Sequence, residues 1–199
     1  METPGREAAI DLLPYPSSPA LKYAFKLPIL LWRLGLGPLV GRLFMILTTT
    51  GRSSGLPRRT AIEFHEHNGR KYVLSAWGER AQWYRNILAD PHVTVQTARG
   101  TERATARRIT DEGELAAAFS FVEQSPVMQR WVEALGLPAT REAFLANKDR
   151  FYLVTFDPTD APTPPPQEAD LTWVWSVAGT LIGLWIQARL RRRRRPKER

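Results

Sequence analysis

Two stretches of this chain gather residues able to hold and orient a reactive group. The first reads Thr48-Thr49-Thr50-Gly51-Arg52-Ser53-Ser54-Gly55-Leu56-Pro57-Arg58-Arg59-Thr60. Glycines let backbone N–H groups approach and point together, hydroxyls add donors, and guanidinium groups grip phosphate or carboxylate oxygens in bidentate fashion. Such a turn is an anion site or a solvated basic hairpin, and composition alone leaves both open. The second reads Ser75-Ala76-Trp77-Gly78-Glu79-Arg80-Ala81-Gln82-Trp83-Tyr84-Arg85-Asn86. It delivers an aromatic and a glycine to the start of a helix carrying Trp83, Tyr84 and Asn86. Glycine permits close backbone approach to a flat ring, and a helix N-terminus favours an electron-rich edge. Core packing of the same aromatics is the alternative.

Other chemistries find little support. The chain has no cysteine, which excludes disulfides, thiolate metal sites and cysteine nucleophiles. Glu63, His65 and His67 could share a strand face, but no further ligand of fixed spacing follows, so no metal site is expected. Nucleophile-elbow, dinucleotide-fingerprint and Walker sequences are absent.

The elements that must position these stretches follow from periodicity. Leu21 to Leu34 reads as an N-terminal helix packed on the domain, with a membrane-surface role as the alternative. Arg42 to Thr50 is an apolar run ending in threonines, consistent with a buried strand. Pro57 to His67 and Lys71 to Trp77 alternate around Asn68-Gly69, the dipeptide suited to a type I′ hairpin turn. Arg80 to Ala89 carries the helical stripe Ala81, Tyr84, Ile87 and Leu88, stopped by Asp90-Pro91. His92 to Ala98 and Glu102 to Ile109 read as strands. Asp111 and Glu114 are spaced as a capping box for a following helix. Short helices are expected at Val127 to Leu135 and Arg141 to Asn147, and a closing strand at Phe151 to Phe156. Antiparallel strands with inserted and late helices point to an α+β fold around a small barrel-like sheet, not to alternating βαβ units.

Taken together, TTTGRSSGxPRRTxxE, a hairpin, and SxWGExxxWYRNxxADPxVTVQ closely resemble the deazaflavin-dependent nitroreductase family. The lead-in Leu34-Gly35-Leu36-Gly37-Pro38-Leu39-Val40-Gly41-Arg42 matches as well. The resemblance covers residues 27–110 well and extends more weakly to Pro158. It implies an FMN-binding-like split β-barrel with flanking helices, and an oxidoreductase using coenzyme F-420 (8-hydroxy-5-deazaflavin) rather than FMN. It implies that Arg52, Ser53, Ser54, Gly55, Arg58, Arg59 and Thr60 hold the coenzyme's phosphate and carboxylate tail. Ala76, Trp77, Gly78, Trp83 and Asn86 would lie beside the ring. The reaction would be hydride transfer to an apolar or aromatic acceptor of quinone-like, nitro or enone type. Ser75 and Tyr84 are candidates to protonate the product, and solvent is another source. The family often has a basic residue where Ser53 stands. Some nitroreducing members carry a serine in the strand-to-helix turn and several tyrosines late in the chain. Here Ser75 is displaced by one position and 127–147 has no tyrosine, so reduction of a drug-like nitro compound is not implied. A split barrel that carries a cofactor or lipid without turnover is the alternative function.

The C-terminal third changes character. Five prolines between Asp157 and Asp170 describe a semi-rigid polyproline-like linker. Leu171 to Ala188 then runs eighteen residues without a charge, about 27 Å as a helix against a hydrocarbon core of roughly 30 Å. Trp173, Trp175 and Trp185 lie towards its ends, and Gly179-x-x-x-Gly183 offers a helix-pairing face for a homodimer. Residues 189–199 hold +7 of the formal +8, leaving +1 for residues 1–188. The basic charge therefore belongs to a tail, which disfavours nucleic acid as a partner and favours an anionic membrane surface. Residues 1–18 carry acids and prolines and no long apolar core, unlike a secretory signal. A spanning helix would place the arginines outside, against the positive-inside tendency, so attachment on the cytoplasmic side is preferred and spanning is left open. The expected division is 1–40 N-terminal segment and helix, 41–157 split β-barrel cofactor-binding domain, 158–170 proline-rich linker, 171–190 hydrophobic helix and 191–199 arginine-rich tail.

Overall fold

The structure is a computed structural model of the full chain. It describes residues 23, 25–75, 77–124, 129, 132–133, 138–148 and 152–193. The expected absence of a signal in residues 1–18, the start of the N-terminal helix, Ala76, most of the helix at 127–135 and the end of the arginine tail lie outside these.

The elements run α1 (Leu27–Leu31), a π-helical turn (Trp32–Leu36), α2 (Gly37–Val40), β1 (Phe44–Thr50), β2 (Pro57–Glu63), β3 (His65–His67) and β4 (Arg70–Leu74). A 3-10 turn (Gly78–Arg80) leads into α3 (Gln82–Ala89), then β5 (His92–Thr97), β6 (Gly100–Arg108), α4 (Glu112–Gln124), α5 (Arg141–Ala146), β7 (Leu153–Pro158) and α6 (Thr172–Arg193). Among the described residues the expected N-terminal helix is helical from Leu27 to Leu34. Gly35 takes φ of 85°, and the chain turns there into a second short helix.

The strands form one seven-stranded antiparallel sheet in the order β2-β1-β5-β6-β7-β4-β3. Laid flat, its two edges would be roughly 29 Å apart at ~4.8 Å per strand. Yet those edges, β2 and β3, are consecutive in the chain and separated only by Phe64. The sheet must therefore curl until its edges meet, which gives a barrel with a seam at Phe64. The long strand expected from Pro57 to His67 is two strands for this reason: β2 pairs with β1, and β3 turns away to pair with β4. The β3–β4 hairpin has Asn68 at φ 51° and Gly69 at φ 75°, the two positive values that a type I′ turn needs.

The barrel interior is a core of Met45, Leu47, Val73, Val93, Val95, Val154 and Phe156, closed by Trp83, Tyr84 and Ile87 from α3. A second cluster fills the space between the outer face of β4–β7 and helices α4 and α5, around Tyr72, Leu115, Phe119, Phe144 and Leu153. The capping box forms only by half. Asp111 Oδ1 accepts from Glu114 N–H at 2.9 Å, but the Glu114 carboxylate turns to Arg107 at 2.7 Å and Arg70 at 3.0 Å. Bidentate pairing with a guanidinium wins over one backbone bond. The hydrogen-bonded Arg107 holds the Glu114 carboxyl down to about 2, against the penalty of burial.

The proline-rich segment is not a free linker. From Thr159, which donates its N–H to Arg103 O at 3.2 Å, it crosses the outer face of the sheet from β6 to β2. The Thr94 hydroxyl meets Thr163 Oγ1 at 2.8 Å and the Pro164 carbonyl. Gln96 accepts from Gln167 N–H at 2.6 Å and donates to Gln167 O at 3.1 Å. Arg59 donates to Pro166 O at 3.2 Å. Asp170 N–H reaches Arg33 O in the N-terminal turn at 2.7 Å. Proline removes backbone donors but leaves every carbonyl as an acceptor, and here sheet side chains supply the donors. Thr94 and Gln96 are buried beneath this strap.

Helix α6 is present, but among the described residues no helix is long and apolar enough to cross a membrane. Spanning by 171–188 is therefore not supported. Its apolar side chains are exposed, including Trp175, Leu181 and Trp185, so docking of this helix on the domain is not what the structure shows.

Candidate active site

Helix α3 joins the two chemistry-bearing stretches. The turn after β1 folds back on itself: Gly51 O accepts from Ser54 N–H at 3.0 Å and Gly55 N–H at 2.7 Å, and Gly51 N–H donates to Leu56 O at 2.9 Å. Glycine is needed at 51 for space. A Cβ there would stand 2.8 Å from Ser54 Oγ and 3.0 Å from Leu56 O. Gly55, at φ 65°, closes the turn in the left-handed region. The turn is latched to α3 through Asn86, which is buried. Asn86 Oδ1 accepts from Arg52 Nη1 at 3.1 Å and from Arg52 N–H at 3.4 Å, while its Nδ2 donates to Thr49 Oγ1 at 3.0 Å. Arg52 Nη2 also donates to Gln82 Oε1 at 2.9 Å.

The second stretch enters the same helix from the other side. Gly78 takes φ of 49°, its N–H donates to Ser75 O at 3.0 Å, and the buried Ser75 hydroxyl donates to Gly78 O at 2.9 Å. Ser75 thus spends its proton on holding this turn. No side chain caps α3, whose N-cap is Ala81, so its first-turn N–H groups carry the partial positive charge of a helix start. Trp77 is half-buried against the barrel core and meets Phe25 edge to face at 5.4 Å.

The structure sorts the expected residues into groups. Arg52, Ser54, Arg58, Thr60 and Asn86 gather on the side of β2 that faces α3. The register pairs Thr49 with Arg58 and Leu47 with Thr60, so these four share the core-side face. Arg58 Nη2 donates to Ser54 Oγ at 3.2 Å, and Ser53 and Gly55 are exposed at the tip of the turn. Arg59 is not with them. It pairs across the ladder with Thr48 on the opposite face, where the strap takes its guanidinium. Adjacent residues of a strand point to opposite faces, and the run Arg58-Arg59 read as one patch ignores this. Trp83 and Tyr84 are buried, packed edge to face on each other at 5.8 Å, with Tyr84 on Tyr152 at 5.3 Å. Burial pushes the Tyr84 phenol up from its usual range, opposed by the charge of Arg108. The Arg108 guanidinium lies 4.3 Å over the Tyr152 ring.

Thr49 and Gln82 were not among the expected site residues. Both were findable. Thr49 lies two positions from Leu47 on the core-side face, and Gln82 stands four residues before Asn86, one turn along the same helix. Arg108 and Tyr152 carry no comparable signal, because strands far apart in sequence bring them to Tyr84. The histidines diverge: His65 Nε2 is 3.9 Å from Glu63, whereas His67 Nε2 meets the Ser120 hydroxyl at 3.0 Å.

Known proteins resemble this chain. The family model described as F420H(2)-dependent quinone reductase matches residues 35–134, half of the chain. That span contains β1, the glycine turn, the 3-10 turn and α3. Among solved structures, an F420-H2 dependent reductase (FDR-A) is 26% identical over 58% of this chain and 93% of its own, with a TM-score of 0.42. An F420 reductase is 22% identical over 59% and 86%, with a TM-score of 0.34. HutZ, the heme storage protein from Vibrio cholerae, is 17% identical over 65% and 92%, with a TM-score of 0.39. With its glycine turn and strand-to-helix turn both inside the matched half, the chain belongs to the F420H(2)-dependent quinone reductase family and is an oxidoreductase that uses coenzyme F-420.

Proposed function

We propose that this chain transfers a hydride from reduced coenzyme F-420 to an apolar or aromatic acceptor of quinone-like, nitro or enone type, while attached to a membrane surface. The observation that carries the reading is the latch of the glycine turn onto α3 through Arg52, Asn86 and Gln82. It fixes an anion-binding turn and an uncapped helix start as one rigid unit.

The residues present fit the coenzyme. From Thr48 to Ile62 there is no acidic side chain to repel an anionic tail. Arg58 keeps donors beyond its bond to the Ser54 hydroxyl, and Ser53 is exposed in the same turn. Arg52 and Asn86 hold each other and position the turn. When bound and reduced, F-420 supplies a hydride as a two-electron donor. Trp77 and Gly78 would flank the ring and exclude water, and the α3 N-terminus would stabilise charge developing beside it. Ser75 holds the turn, and the buried Tyr84 keeps its proton to high pH. Solvent is therefore the better source of the proton that completes reduction.

Helix α6 leaves tryptophans, valines and leucines exposed and runs into arginines at 189 and 191–193. We place it in the membrane interface on the cytoplasmic side, with the arginines on anionic headgroups. The test is turnover. Reduced F-420 mixed with the full chain and a water-soluble quinone should be oxidised in an acceptor-dependent way, followed by the return of the oxidised coenzyme's absorbance. Tight coenzyme binding without oxidation by quinone, nitro or enone acceptors would reduce the protein to a carrier.

A further inference from the structure

Strand β6 sends two neighbouring arginines to opposite sides of the sheet. Arg107 pairs across the ladder with Thr155 and spends itself on Glu114 and Asp157 outside the barrel. Arg108 pairs with Val154, which pairs in turn with Val73, and both valines lie in the barrel core. Adjacent strand residues alternate in direction, so Arg108 carries its charge onto the interior face, in line with Ala106. A charge among apolar side chains is costly unless something there uses it. Arg108 keeps partial solvent contact, and an interior-facing residue does so only where the barrel opens. The end of β6 that carries it is the end at which β4 runs through Ser75 into the Trp77-Gly78 turn.

The surroundings of Arg108 are aromatic. Its guanidinium lies 4.3 Å over the Tyr152 ring, and Tyr152 meets Tyr84 edge to face at 5.3 Å. Tyr152 also borders the strand-to-helix turn: its carbonyl accepts from Ser75 N–H at 3.0 Å, and the Ser75 hydroxyl holds Gly78 O at 2.9 Å. The charges that reach the Tyr84 phenol locate the field at this end. Burial raises the phenol, Arg108 opposes the rise, and Tyr152 and Glu79 add to it. Glu79 stands on the exposed 3-10 turn, where solvent screens it, whereas Arg108 acts from the interior side.

Reduction leaves a charge at this place. A hydride carries an electron pair, so a neutral quinone, nitro or enone acceptor that takes it becomes an oxygen-centred anion until a proton arrives. Tyr84 keeps its proton and Ser75 spends its own on Gly78. The proton then comes from solvent, and the anion has to be held in the meantime.

We propose that Arg108 is the anion-stabilising residue of the acceptor subsite, its guanidinium braced flat on Tyr152 and directed at the acceptor oxygen on which charge develops. The assignment rests on the hydride-transfer reading given above. A fixed cation aimed at developing charge speeds the transfer without tightening the neutral acceptor, and stacking on an aromatic ring holds the guanidinium plane in place.

The test needs no turnover. The full chain loaded with oxidised F-420 is titrated by calorimetry with para-nitrophenolate and with uncharged para-nitroaniline, at a pH where the phenol is ionised. The wild type should prefer the anion by about tenfold or more, the worth of one charge-assisted contact. Arg108→Gln should bind the two alike with coenzyme affinity unchanged, and Arg108→Lys should keep part of the preference. With reduced coenzyme and a water-soluble quinone, Arg108→Gln should lower kcat by about tenfold or more and leave KM nearly unchanged, because the quinone is neutral before transfer. Equal affinities for the two probes in the wild type overturn the proposal, and that comparison stands even where the glutamine variant fails to fold. A folded Arg108→Gln chain that retains the preference overturns it too, as does one that loses coenzyme affinity to the same extent. A wild type that prefers the anion yet oxidises no reduced F-420 would strike the hydride-transfer reading and leave Arg108 as the anion site.

Discussion

Arg58 and Arg59 are neighbours in sequence and strangers in the fold. Arg58 lies on the core-side face of β2, next to the glycine turn, with its guanidinium bonded to the Ser54 hydroxyl. Arg59 lies on the outer face, held by a carbonyl of the chain's own proline-rich strap. At this end of β2 the Arg58 side chain stays exposed, whereas the Arg59 side is covered by the chain itself. The difference teaches that a cluster of like residues on a strand is two half-clusters, each answering to its own surroundings. It also separates two jobs that composition runs together. In the proposed function the turn and α3 bind, whereas the strap covers Thr94 and Gln96.

Ending the chain at Asp160 should have the largest effect, because it strips the strap. Thr94 and Gln96 would lose four hydrogen bonds to residues 163–167 and Arg59 one more. At about 1 kcal/mol each, the lost bonds come to about 5 kcal/mol before the ordering entropy of the strap is returned. Thermal unfolding of the shortened chain should show a fall of many degrees. A melt equal to that of the full chain would make the strap an ornament and erase the contrast between the faces.

The α4 clamp should give the smallest effect and serves as the control region. The Glu114 carboxyl, bonded to Arg107, titrates near 2 in the folded chain instead of 4.5. A depressed carboxylate stabilises the fold above its unfolded value and loses that contribution as pH falls through its folded value. Wild-type stability should therefore decline between about 4.5 and about 2, and Glu114→Gln should flatten that decline. The pair is partly exposed, so about 1 kcal/mol is expected at neutral pH. Coenzyme affinity at pH 7 should not change, and a change would mean that the clamp and the site are coupled.

Much of this was legible from residue order. Asn68-Gly69 announced its hairpin because its two positive φ values are a strictly local demand. The glycine turn and α3 were placed from spacing alone, and their association came from resemblance and not from periodicity. What failed to show were the long-range choices. Pro57 to His67 alternates without a break, and only closure of the sheet reveals why Phe64 must end one strand and begin the next. The proline run reads as a spacer because proline lacks an N–H, yet its carbonyls are available to Thr94, Gln96 and Arg59. Their positions depend on a sheet assembled from β1, β2 and β5. Glu114 was expected to cap its own helix, and two arginines from other elements outbid the backbone N–H.

The central claim is that the turn on the α3 side, and not the arginine cluster as a whole, holds the coenzyme tail. Titrating oxidised F-420 into the full chain, Arg58→Ala and Arg59→Ala, with binding followed by coenzyme fluorescence, tests it most directly. The account predicts that Arg58→Ala weakens binding by about tenfold to a hundredfold, the worth of one charge-assisted contact. Arg59→Ala should bind nearly as wild type while melting at a lower temperature. Equal affinities for wild type and Arg58→Ala, or a larger loss in Arg59→Ala, would contradict it.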